Sequence, residues 1–110
     1  GYNGFPQFIE DGPERYQNRE IKLAYTVHAE VNAILNAARN GSKTNGSTLY
    51  VTFSPCVSCS TGLIQAGISR VICPDLSLAP ARWAESFGMG QSLLKEAGVE
   101  VVSYTSISYD

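Results

Sequence analysis

The sequence predicts an α/β fold in which helices cover a central sheet. Three observations carry that prediction. Apolar residues recur at helical spacing over 27–39, short apolar runs stand at 49–53 and 70–73, and helix-forming stretches lie between and after those runs. A length of 110 residues fits one domain, spanning 1–110.

The elements follow in order. The opening Gly1-Tyr2-Asn3-Gly4 reads as the end of a strand running into a turn, and no initiator methionine precedes it. The expectation is that an N-terminal helix and strand are missing. Residues 4–24 are polar and broken by Gly4, Pro6, Gly12 and Pro13, so they read as a loop with at most a short helical turn. A loop that long in a small domain is a functional candidate. Over 27–39, Val31, Ile34, Leu35 and Ala38 form the apolar stripe of a helix. Residues 40–47 are turn chemistry, and 49–53 read as a strand. Pro55 suits the first turn of a helix running to about Ala66, which Gly67 is placed to end. A short strand at 70–73 comes next. An amphipathic helix over 81–97, weakened by Gly88 and Gly90 and capped by Gly98, precedes a final strand over 99–105.

Composition narrows the function classes. The chain is 44% hydrophobic and 16% charged, with no apolar run near the ~20 residues a membrane span needs. No signal peptide is visible, so a cytoplasmic location is the default expectation. The net charge is −2 and the basic residues are scattered, without the patch or stripe that phosphate-driven nucleic-acid binding uses. A small substrate is the better expectation. Three cysteines is an odd number, which argues against a closed disulfide framework, and two of them form Cys-x-x-Cys, a metal or redox spacing in a reducing compartment.

Two motifs bear chemistry. His28-Ala29-Glu30 and Pro55-Cys56-Val57-Ser58-Cys59 each stand at the expected start of a helix. Cys56 and Cys59, three apart on one turn, offer two thiolates to one ion, and His28 offers an imidazole. Three protein ligands leave a fourth tetrahedral position for water, the arrangement of a catalytic rather than a structural zinc site. Two thiolates cancel the dication's charge and weaken it as a Lewis acid, while the positive ends of two helix dipoles favour thiolate there. Zinc lowers the pKa of its water, so hydroxide is available near neutrality. Glu30, two residues from His28, suits a general acid–base. Taken singly, each feature has an ordinary explanation: a structural or redox Cys pair, a capping His, a Glu favoured by the helix dipole. Together, in this order and spacing, they are highly specific.

The pair matches the signature of the zinc nucleobase deaminases. The chain resembles that superfamily over nearly its whole length, and most of all its deoxycytidylate deaminase branch. Gly1-Tyr2-Asn3-Gly4-Phe5-Pro6, Lys22 ahead of the His, the stretch from His28 to Ile34 and Gln65-Ala66-Gly67-Ile68 carry the likeness. The resemblance implies hydrolytic conversion of dCMP to dUMP by a zinc-bound hydroxide, with Glu30 as proton shuttle and His28, Cys56 and Cys59 as zinc ligands. It also implies that Asn3 bonds the substrate near sugar and base. Backbone groups of Ala29 and of Ser54-Pro55 would read the cytosine edge, and Arg19 or Lys22 would meet the phosphate. The implied fold is a three-layer α/β/α sandwich around a five-stranded mixed sheet. The implied assembly is a homo-oligomer of two, four or six chains. Two departures stand out: the missing N-terminal elements, and Pro74-Asp75-Leu76-Ser77 where the branch often carries a Tyr and a basic residue. The nearest basic residue after that strand is Arg82. Cys73 reads as a buried strand residue, and Trp83 and Phe87 as core or interface. Rival readings are a deaminase of free cytidine, of another aminated ring or of tRNA adenosine, and a non-catalytic zinc-stabilised binding module. The last would need a fourth protein ligand.

Overall fold

Residues 1–105 are described in the computed structural model of the chain. Helices α1 (Pro13–Gln17), α2 (Arg19–Tyr25) and α3 (Ala29–Arg39) come first. An alternating run follows: β1 (Thr48–Tyr50), α4 (Val57–Gln65), β2 (Arg70–Pro74), a 3₁₀ turn (Leu76–Leu78), α5 (Ala84–Glu96) and β3 (Glu100–Tyr104). The strands form a parallel sheet in the order β1-β2-β3. Parallel neighbours need crossovers, which α4 and α5 supply. The α/β class predicted from the alternation is therefore the class observed.

Register decides which side of the sheet is core. Leu49 pairs with Val71 and Val71 with Val101, while Tyr50, Ile72 and Val102 line up on the opposite face. The first row joins Leu63, Ile68, Cys73, Leu94 and Val99 in the main apolar cluster. Val71, Leu63 and Leu94 are fully buried, and each such side chain stabilises the fold by roughly 1.5–3 kcal/mol. Tyr50 is 70% exposed on the other side. Of the implied five-stranded mixed sheet, the described residues supply three parallel strands, plus one antiparallel bridge between Gly4 and Val27. Cys73 lies buried on its strand, as expected.

Several boundaries differ from expectation for local reasons. The 4–24 stretch contains α1 and most of α2 rather than one turn. Pro13 occupies the first position of α1, and the Asn18 side chain caps α2 by accepting from the Ile21 N–H at 3.2 Å. Strand β1 begins one residue earlier than expected and stops at Tyr50. Val51 N–H still donates to the Ile72 carbonyl, but Phe53 has turned out of the sheet and is 55% exposed. Gly67 and Gly98 follow the ends of α4 and α5 at φ +81° and +85°. At Gly67 a Cβ would also lie 2.4 Å from the Asn45 side chain. No helix among the described residues is long and apolar enough to cross a membrane.

Candidate metal centre and active site

Two helix beginnings build the site. His28 is the N-cap of α3 and Cys56 the N-cap of α4, both with extended backbone, and Cys59 follows in the first turn of α4. This geometry brings three soft donors to one point. His28 Nδ1 lies 3.2 Å from Cys59 Sγ and 3.6 Å from Cys56 Sγ. All three ligand atoms lie within 4.8 Å of one another, the one such group among the described residues. A tetrahedral zinc with ordinary Zn–S and Zn–N bonds holds its sulfur and nitrogen about 3.6 Å apart. The donor set and its spacing fit zinc.

Electrostatics point the same way. Burial pushes the Cys59 thiol far above the usual range, and hydrogen bonding with Cys56 and the nearby Glu30 carboxylate raise it further. Without a cation, such a thiol keeps its proton. A coordinating dication removes it. Glu30 stands in the first turn of α3, next to Cys59 rather than among the three donors.

Beside the donors opens a cavity of about 300 Å³. His28, Cys56 and Glu30 line it, together with Asn3, Ser54 and Lys22, so six of the residues predicted from sequence converge there. Four others do not line it, among them Cys59, which is buried in the first turn of α4. Arg19 begins α2, Pro55 is fully buried, and the Ala29 N–H is occupied by Asn3 Oδ1 at 2.7 Å. That last bond secures one donor at the start of α3 and holds Asn3 in place. Arg82, Trp83 and Phe87 also line the cavity. Phe87 is buried against Cys56 and Cys59, and Trp83 stacks on it with ring centroids 6.3 Å apart. The two aromatics are thus core, as expected, and at the same time a wall of the site. No local motif marked Arg82 as a lining residue. Its position after β2 was its only signal.

Three thiol and imidazole donors at two helix N-termini, with an adjacent carboxylate and a cavity alongside, define a zinc centre of the deaminase class. The model of the cytidine and deoxycytidylate deaminase zinc-binding region matches residues 2–74, and the chain belongs to that family. It is 41% identical over 102 residues to an uncharacterized deaminase encoded in the luxG 3′ region of Aliivibrio fischeri, covering 92% of this chain and 67% of that one. It is 42% identical over 96 residues to the deoxycytidylate deaminase of Enterobacteria phage T4, covering 86% of this chain and 46% of that one. Among solved structures, the dCMP deaminase of cyanophage S-TIM5 in complex with dCMP and dUMP superposes with a TM-score of 0.68 at 28% identity. That match covers 93% of this chain and 68% of the phage enzyme. The chain thus spans about half the length of the T4 relative and two thirds of the other two.

Proposed function

We propose that this chain is a hydrolytic deaminase of deoxycytidylate, converting dCMP and water to dUMP and ammonia. The observation that carries the reading is Glu30 beside the His28, Cys56 and Cys59 donors, at the wall of a cavity that Lys22 and Arg82 also line. The phage relatives that act on or bind deoxycytidylate support it.

His28, Cys56 and Cys59 would hold zinc, which when bound would supply the acidity that makes a water nucleophilic near neutral pH. Glu30 takes a proton from the attacking water and delivers it to ring N3 as the C4–O bond forms. It then carries the second proton to the exocyclic amine, the C4–N bond breaks, and ammonia leaves. Asn3, with Oδ1 fixed by the Ala29 N–H, keeps its Nδ2 donors for the sugar. The Ser54 backbone, which lines the cavity, reads the cytosine edge. Lys22 and Arg82 bind the phosphate, the role that Arg19 or Lys22 was expected to fill.

Two cations on the cavity favour a nucleotide over free cytidine or another neutral aminated ring. With one His and only Cys73 beyond the pair, the sequence offers no obvious fourth ligand for a closed, purely structural site. By its family likeness, the protein is read as a homo-oligomer, a dimer, tetramer or hexamer of one-domain chains. Dependence on reduced thiolates favours the cytoplasm. The test is an ultraviolet deamination assay of the zinc-loaded protein on dCMP, deoxycytidine and cytidine. The proposal expects turnover with kcat/KM highest for dCMP. Equal rates on all three would remove the phosphate assignment, and no turnover on any would remove the proposed substrate class.

A further inference from the structure

One face of α5 forms a template for the chain segment that enters the site. Ser86, Phe87, Gly90 and Gln91 share that face at helical spacing. Ser86 Oγ accepts from the Val57 N–H at 3.2 Å, at the start of α4. Phe87 packs on both zinc-site cysteines. Gly90 lets the helix approach the segment closely, since a Cβ there would stand 2.6 Å from the Pro55 carbonyl oxygen. Gln91 is buried and donates from Nε2 to Ser54 Oγ at 3.0 Å and to Cys73 Sγ at 3.6 Å.

The segment needs such anchors. Among the described residues, no backbone hydrogen bond holds 52–55 between Val51, which is bonded to β2, and Cys56. Ser54 is 4% exposed, touches the cavity, and has its hydroxyl engaged by Gln91 and by Cys73, so the groups it has left for a ligand are its backbone N–H and C=O. Their direction depends on where the side chain is pinned. A buried amide-to-hydroxyl bond between rigid elements is costly to break, because the orphaned partner stays desolvated.

We propose that Gln91 is a positioning residue: through Ser54 Oγ it fixes the Ser54 backbone at the cavity wall and so sets the geometry of base binding. This rests on the deaminase reading for its catalytic consequence, but its structural consequence stands alone. The experiment compares Gln91→Leu, Ser54→Ala and the double variant in the zinc-loaded full chain. Amide hydrogen exchange is read across the molecule, together with KM and kcat for dCMP. The expected result for Gln91→Leu is faster exchange confined to the amides of 52–57, with zinc retained. KM should rise on the order of ten-fold while kcat changes much less. The double variant should be no worse than the more damaged single one, since both changes break the same link. Exchange at 52–57 that stays at the wild-type rate overturns the proposal, as does acceleration spread over α5 and the sheet. Fully additive effects on KM overturn it too. A wild-type protein without turnover removes the deaminase reading, and the exchange data still decide whether Gln91 holds the segment.

Discussion

Replacing Glu30 with Gln isolates the proton-transfer role, because the amide keeps the shape and removes the transferable charge. Glu30 lies in the first turn of α3, close enough to Cys59 to raise its thiol by charge and by hydrogen bonding, yet outside the three-donor set. Three donors therefore remain for zinc. Loss of the neighbouring negative charge removes one of the influences that keep Cys59 protonated, so metal retention should not suffer. Catalysis should, since in the proposed mechanism the same carboxylate handles the proton twice. General acid–base assistance is worth about 10² to 10⁴ in rate, or about 2.7–5.4 kcal/mol of barrier at 1.36 kcal/mol per decade. The assay is single-turnover conversion of dCMP alongside zinc content by mass spectrometry. A drop of at least a hundred-fold in kcat, with about one zinc per chain, is the expected result. Activity within ten-fold of wild type, or zinc lost with the substitution, would refute the reasoning.

Other perturbations have separate outcomes. Cys59→Ser should abolish stable zinc binding and lower thermal stability, because it removes a buried ligand from the pair of helix starts; unchanged zinc content would contradict the ligand assignment. Lys22→Gln and Arg82→Gln should each raise KM for dCMP while leaving deoxycytidine nearly untouched. Equal effects on both substrates would place the two cations away from the phosphate. Burial raises the Cys59 and Cys73 thiols, so the metal-free folded protein holds protons that the unfolded chain gives up. Its stability should therefore fall as pH rises above about 8.5, the ordinary thiol value. Zinc-loaded protein should lose the Cys59 share of that dependence, and denaturant titrations across pH 7–10 read it directly. Leu63→Ala removes a fully buried core side chain and should cost about 2–5 kcal/mol of stability.

The zinc site was legible because its residues are tied to local backbone signals. A His and a Cys placed just before helical runs become N-caps, and Cys-x-x-Cys then shares one turn whatever the rest of the fold does. Lys22, Asn3 and Ser54 came with the resemblance and do line the cavity. Helices α1 and α2 were not legible: five and seven residues are too few to display an apolar period, although Pro13 and Asn18 stood as capping signals inside the polar stretch. The end of β1 was misplaced because the apolar run through Phe53 continues past the point where the chain leaves the sheet. Arg82, in the turn before α5, and Gln91, on α5, are brought to the site by tertiary packing after a long connection. A buried Gln on an amphipathic helix has no sequence signature of its own.

The central claim is that the His28, Cys56, Cys59 and Glu30 cluster directs water to C4 of a cytosine nucleotide. Turnover of dCMP by the zinc-loaded protein in ¹⁸O-labelled water, followed by mass spectrometry of the product, tests it most directly. The account predicts dUMP carrying one labelled oxygen on the base, with ammonia released in equal amount. Absence of dUMP, or dUMP whose new oxygen is unlabelled, would contradict it.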